Sequence, residues 1–395
     1  MAKRVLVLTL SLLLIASLSA FGAKKPLEKK VLPSMEKMKP MNESIIFPYR
    51  PSTTLEPKFF FPMTDDTVGW TYYDYQENGG AHRRIANDYL GNLHFTWMNM
   101  VGPDLSENRY VDYNARFSNG SWNNQGAGIH VTKPAGRGGY CGLDILPDSR
   151  EVLAYHDVSN QTWSTLAIEK TTPGLGQFKI FDIADSGVTL EYLTWPSVAT
   201  SKHASTTYIH VTNFAQDDYA GYQRCYEKGT DSLICESPGW ATPIRVKDGD
   251  KLSPLHKNRR PWFFPGGDNK TPYISGPVAT SPTGSGHVAI AYCDQTGASF
   301  YQGEIYVIES TTDGDDWIAG TNQTPRQLTH FGDNNWEDYA PYYCEVAAVY
   351  DYSNVLHVFF TAHAAGNLGE DVTLFHWSSA TDSLHKVSSR LVTAD

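Results

Sequence analysis

After its first fifteen residues the chain has no long uninterrupted apolar run, so no later segment is expected to cross a membrane as a helix. Cysteine is scarce, five in 395 residues, and none is grouped with histidine at ligand spacing, which argues against a zinc site. A G-x-S-x-G elbow and a phosphate-cradling glycine loop are both missing, and with them the support for serine hydrolase or nucleotide chemistry. Positive charge is in deficit: 32 Lys and Arg against 43 Asp and Glu leave a net −11, which argues against nucleic acid as a partner because such binding needs concentrated positive charge. Glycoside cleavage needs two carboxylates flanking a pocket, yet Asp88, Asp144, Asp157, Asp294 and Glu337 are equally eligible, so no catalytic pair stands out. What the chain has in quantity is Tyr (23), Trp (10), Gly (32) and Pro (22), a mixture of strand formers and turn formers.

The first 22 residues run from Lys3 and Arg4 through the apolar Val5–Ile15 to small residues, the order of a secretory signal peptide with cleavage after Gly22. No Cys follows, so a bacterial lipid anchor is not expected, and the mature protein is read as secreted or surface-exposed. Residues 23–62, rich in Lys and Pro, read as a disordered or extended leader, and 63–395 as one domain. In an exported chain cysteines pair, and Cys225 with Cys235, ten residues apart across an expected hairpin, is the first choice of disulfide. Cys293 and Cys344 could join neighbouring sheets, which leaves Cys141 as a buried thiol.

Ser275 to Leu328 holds four short apolar or alternating runs separated by Gly, Pro, Asp and Ser clusters, the pattern of a four-stranded antiparallel meander. One such sheet cannot bury both faces. The arrangement recurs four more times, with innermost strands starting near residues 82, 138, 193, 274 and 339. The fold class expected is therefore all-β, a β-propeller of four-stranded antiparallel blades, five counted and six possible if 257–270 or the segment before Asn78 builds another sheet. The alternating 68–76 is expected to be a strand that closes the ring by joining the last blade.

Ser310 to Trp317, S-T-T-D-G-D-D-W, resembles the Asp-box or BNR repeat, with Ser310, Gly314 and Trp317 in place and the Asp displaced to Asp313; S-N-G-S-W at 118–122 is a shortened relative. The resemblance is to the sialidase-like propellers, and covers the blade pattern from about Val68 onward. It implies a structural turn between third and fourth strands, in which Gly supplies a positive φ, Ser and Asp bond local amides and Trp packs between sheets. His82-Arg83-Arg84-Ile85-Ala86 is similar to the Arg-Ile-Pro motif of sialidases with Ala86 in place of Pro. That would make Arg84 the first of three carboxylate-binding arginines, although no context matches the other two. A buried Arg84 paired to a carboxylate is the favoured structural alternative. Asp313, Asp315 and Asp316 form a weak Ca²⁺ candidate, and no other cofactor is expected. The stretch from Gly69 through Trp97 is also similar to secreted bacterial proteins that carry a C-terminal sorting domain.

The second strands end alike, in T-W-M-N, A-Y-H-D, H-V-T-N, A-Y-C-D and F-T-A-H, which would place His156, Asp157, Asn213, Asp294 and His363 around one rim. Propellers bind ligands at rims and channel mouths. The function expected is a secreted, monomeric binding module for an extracellular glycan or protein, through Arg84, His156, Asp157, Asp294 and His363. The rivals are a sialidase-like or other exo-glycosidase, and a structural segment of a larger exported protein.

Overall fold

The protein is described from a computed structural model, which covers residues 66–73, 76 and 82–392 apart from 101, 103–108, 133–136, 158–163, 183–192, 216–218, 229–231, 237–243, 247–275, 296–302, 316, 319–324, 332–338, 365–370 and 389–390, with backbone alone at several strand ends, Asp294 and His363 among them. The segments expected to be a signal peptide, a leader and an insertion at 257–270 lie outside the described residues. So do Asp316 and the side chains of Trp317 and Cys344.

Five antiparallel sheets account for the secondary structure, and no α-helix occurs among the described residues. The first blade is β1 (Ile85–Asn87), β2 (Leu93–Met100), β3 (Arg109–Arg116) and β4 (Ile129–His130). The second is β5 (Gly138–Ile145), β6 (Glu151–Asp157), β7 (Ser164–Glu169) and β8 (Phe178–Asp182). The third is β9 (Leu193–His203), β10 (Thr206–Ala215), β11 (Tyr219–Lys228), β12 (Ser232–Glu236) and β13 (Ile244–Val246). The fourth is β14 (Val278–Thr280), β15 (Val288–Gln295), β16 (Gly303–Ser310), β17 (Trp317–Ile318) and β18 (Arg326–Gln327), and the fifth is β19 (Tyr339–Tyr350), β20 (Leu356–Ala364), β21 (Asp371–Ser378), β22 (Ser383–Lys386) and β23 (Leu391–Val392). Each sheet is a meander in chain order, as a β-propeller blade requires.

In the last three blades the outer strand is broken in two. Both β12 and β13 pair with β11, β17 and β18 with β16, and β22 and β23 with β21. An outer edge tolerates such a break because its far side has no partner to lose.

Packing between blades explains the residue pattern. Val111, Tyr113, Leu143 and Tyr155 fill the space between the first and second blades, Val152, Leu166, Ile168 and Val211 that between the second and third, and Val307, Val358, Phe360 and Trp377 that between the fourth and fifth. Every residue of β6 is buried, because a blade covers each face of it, so the run reads apolar without strict alternation. Cys225 and Cys235 are directly opposite each other in the β11–β12 ladder and form a disulfide, with Cα atoms 4.0 Å apart. Cys141 and Cys293 are buried.

The described residues of this N-terminal segment, 66–73 and 76, run against the first blade, not the last as expected for 68–76. β1 pairs with β2 only as far as Phe95, and beyond it the free inner edge of β2 is taken up by this segment. Tyr72 N–H donates to the Met100 carbonyl (3.0 Å), and the Gln76 amide both donates to the Met98 carbonyl (2.9 Å) and accepts from its N–H (2.8 Å). The edge is thereby protected on the first blade itself.

Between the first two blades lies a buried polar cluster of Asp88, His94, Tyr113, Glu151 and Glu169. Tyr113 Oη and His94 Nδ1 are 2.7 Å apart, and Glu169 accepts the N–H groups of Gly174 (2.9 Å) and Gly176 (2.8 Å) on its two oxygens. Burial raises the Glu151 carboxyl, and burial with the facing Glu151 pushes Glu169 up to about 9. Two buried carboxyls in contact hold one proton between them at neutral pH.

Candidate ligand-binding site

Antiparallel pairing of first and second strands puts the hairpins that join them on one face of the ring, and the ends of the second strands on the other. In the second blade, Ile145 opposite Glu151 marks the hairpin face and Gly138 opposite Asp157 the far face. A cavity of about 880 Å³ opens on the hairpin face, and all five innermost strands or their hairpins line it. Its wall is polar: Asn87, Thr200, Ser201, Thr280, Ser281 and Thr283 contribute amide and hydroxyl groups. Arg83 is ion-paired to Asp144 in the wall, and Asp144 also accepts the Thr200 N–H (2.6 Å) and hydroxyl (3.2 Å).

Two tyrosines stand at the mouth. In Asp88-Tyr89-Leu90-Gly91-Asn92 the Asp88 carboxylate accepts the N–H groups of Leu90 (2.9 Å) and Asn92 (2.7 Å), and Gly91 takes φ 81°. In Asp351-Tyr352-Ser353-Asn354-Val355 the Asp351 carboxylate accepts those of Ser353 and Val355 (both 2.8 Å), and Asn354 takes φ 60°. The Asp fixes each turn by bonding its own backbone, which leaves the next residue pointing outward. Tyr89 and Tyr352 are accordingly 73% and 85% exposed. Partial burial, with Asp144 and Tyr352 nearby, raises the Tyr89 phenol above its usual value. Aromatic faces over hydroxyl- and amide-lined walls suit a sugar, whose ring presents an apolar face and a polar rim.

The site residues expected from the sequence lie elsewhere. The backbone places Asp157, Asn213, Asp294 and His363 at corresponding ends of their second strands, on the face opposite the cavity. His156 is buried there against Tyr140, with ring centres 5.1 Å apart, and Asp157 is fully buried. Burial, with Arg109, Arg137 and His82 nearby, pushes His156 down to about 3. Arg109 lies over the rings of Tyr73 (5.0 Å) and Tyr140 (5.7 Å). A bulge in β5 next to Gly139 gives Tyr140 φ 47°, and Trp195 repeats it on the next blade with φ 48°. A Cβ on Gly139 would meet the Met98 sulfur at 2.8 Å and His156 Nε2 at 3.2 Å, so glycine there is what admits the imidazole.

Arg84 is not among the residues that line this cavity. Its guanidinium donates to the Gln76 carbonyl and lies 2.7 Å from the Cys141 sulfur, while Arg83, on the other side of the strand, lines the cavity. The Ser310–Trp317 turn joins third and fourth strands: Ser310 Oγ accepts the N–H groups of Gly314 (2.9 Å) and Thr312 (3.2 Å), and Gly314 takes φ 82°. Asp313 departs from the local role. Its carboxylate accepts the Ser201 hydroxyl of the third blade at 2.7 Å, while Asp315 pairs with Arg224 at 2.9 Å. These two acids therefore fasten the fourth blade to the third. Among the described residues no group of three His, Cys, Asp or Glu side chains is placed to hold a metal ion, and no helix is long and apolar enough to cross a membrane.

The cavity residues Tyr89, Tyr352, Arg83 and Thr200 were not singled out from the sequence. A signal was available in the repeated Asp-Tyr turns of the first and fifth blades, where a tyrosine occupies a position that turns usually give to Gly, Asn or Asp.

No family model and no curated protein matches the chain. Among solved structures it is similar to an exo-β-1,3-galactanase from Clostridium thermocellum, at 12% identity over 79% of this chain and 61% of that one, with a TM-score of 0.39. It is also similar to a thermostable family-43 glycoside hydrolase (11% identity, 81% and 95% covered, TM-score 0.39) and to the SapL1 lectin in complex with α-methyl fucoside (13% identity, 78% and 80% covered, TM-score 0.40). The chain spans about three fifths of the galactanase. Likeness of this degree concerns general architecture and carries no argument about chemistry.

Proposed function

We propose that this propeller is an exported carbohydrate-binding protein whose ligand enters the axial cavity on the hairpin face. The observation that carries the reading is the pair of exposed tyrosines, Tyr89 and Tyr352, held by matching Asp turns over a wall of hydroxyl and amide groups. A glycosidase is less well supported, because the one carboxylate lining the described cavity, Asp144, is engaged by Arg83 and Thr200. Retaining or inverting chemistry needs a second acid across the substrate. Export through removal of residues 1–22, a leader over 23–62 and membership of the Asp-box propellers belong to the same proposal, the last supported by the Ser310–Gly314 turn. N-terminal sequencing of the exported protein should begin at Ala23. A glycan array on the mature protein should give hits that Tyr89→Ala and Tyr352→Ala each abolish without lowering the melting temperature. Hits unaffected by both substitutions would refute the site, and release of sugar from fluorogenic glycosides would favour the enzyme.

A further inference from the structure

A second depression lies beside the axial cavity. It has a volume of about 730 Å³ and runs between the second and third blades, lined by Leu146, Arg150, Thr207, Tyr208, Tyr226 and Glu227 among others. Pro147 and Lys202 line both spaces, so the depression adjoins the axial cavity at these two residues. Each alone falls in the range of about 300–1,000 Å³ that accommodates a drug-sized ligand. Side by side they mark a track from the propeller axis outward.

Three properties of the track select its occupant. Its floor is rigid: Arg150 donates to both Glu227 oxygens (3.2 and 2.5 Å), to Asp148 (2.8 Å) and to the Glu169 carbonyl (3.0 Å), so this guanidinium and these carboxylates are already satisfied. Its ionic groups balance, since the described lining residues comprise Arg83, Arg150 and Lys202 against Asp144, Asp148 and Glu227. A balanced lining on a protein of net charge −11 disfavours a polyanion. Lastly, β10, which forms the wall, is paired along both edges, with β9 and with β11, so a peptide cannot add to it as a strand. What remains is contact through side chains: the hydroxyls of Ser205, Thr206 and Thr207, the edge-to-face pair Tyr208 and Tyr226 (6.3 Å), and at the junction the exposed Lys202, which has no ion pair among the described residues.

We propose that the ligand is an uncharged linear oligosaccharide, with one end in the axial cavity and the following units along the groove between the second and third blades. The proposal rests on the carbohydrate reading of the axial cavity and adds its direction and length. Lys202 and Thr207, directly opposite in the β9–β10 ladder, meet the chain where it leaves the axis.

The test is calorimetric titration of the mature protein with gluco-, manno-, xylo- and galacto-oligosaccharides of one, two and four units, with an oligogalacturonate as the charged control. One neutral series should bind about tenfold or more tightly as a tetrasaccharide than as a monosaccharide. Thr207→Trp, which fills the groove without touching the axial cavity, should reduce the tetrasaccharide to monosaccharide affinity and leave the monosaccharide unchanged. Tyr226→Ala should weaken the tetrasaccharide alone, and serves as the second probe if the Trp variant melts early. Equal affinity at every length, or a length dependence untouched by both variants, would overturn the groove while leaving the axial site standing. Tighter binding of the oligogalacturonate would overturn the uncharged class. Absence of binding by every series would overturn both readings together.

Discussion

Substituting Glu151 by Gln tests the shared proton between the first two blades. In the native protein the Glu151–Glu169 pair is held half-protonated well above the pH at which free glutamates ionise. In the unfolded chain both side chains lose their protons near their ordinary value of 4.5. The folded state thus binds one proton more than the unfolded state from there up to about 9, so this contribution is fully present below 4.5 and is lost as pH rises towards 9. One proton corresponds to at most about 1.4 kcal/mol per pH unit, or about 3 kcal/mol between pH 6.5 and 9. At about 2 °C per kcal/mol for a unit of this size, the melting temperature should fall by roughly 6 °C over that interval. The amide introduced by Glu151→Gln keeps the shape, can accept from Tyr113 and can donate an N–H to Glu169, whose two oxygens stay bonded to Gly174 and Gly176. The variant should therefore lose less than half as much between pH 6.5 and 9, as read by differential scanning calorimetry at matched ionic strength. An alkaline slope equal to that of the native protein would refute the shared proton.

Acid should destabilise the protein by a separate route. His210 is buried between Ser201 (2.9 Å) and Tyr222 (2.8 Å), and burial, with Arg224 nearby, pushes it down to about 3. Its contribution is present above 6.5 and lost as pH falls from there towards 3, so His210→Gln should make the acid limb of the melting curve shallower by up to about 1.4 kcal/mol per pH unit. An unchanged acid limb would count against it. Arg84→Ala should lower stability by about 1–3 kcal/mol in urea unfolding, because it leaves the Gln76 carbonyl and the packing at Cys141 without their partner, yet glycan binding should persist. Loss of binding in a stable Arg84→Ala protein would return that residue to the site.

The blades were legible in the chain before any packing is known. Strands and turns are local objects, written in alternation, in Gly and Asp at positive-φ positions such as Gly91 and Gly314, and in a repeat that needs a neighbour to bury each face. For the same reason the Cys225–Cys235 hairpin and the turn at Ser310–Gly314 were readable, since their partners lie within ten residues. Whatever depends on the rotation of one blade against the next became visible only in three dimensions. Pattern alone could say that Arg83 and Arg84 face opposite ways, but not which one meets the axis. It could place Asp157, Asp294 and His363 at equivalent strand ends, but not reveal that the axial cavity opens at the other end, where the hairpins of all five blades converge. Asp313 shows the same limit. Its position in the turn is local, but the Ser201 hydroxyl that occupies its carboxylate arrives from the preceding blade, 112 residues away in the chain, brought there by burial of the apolar faces between sheets.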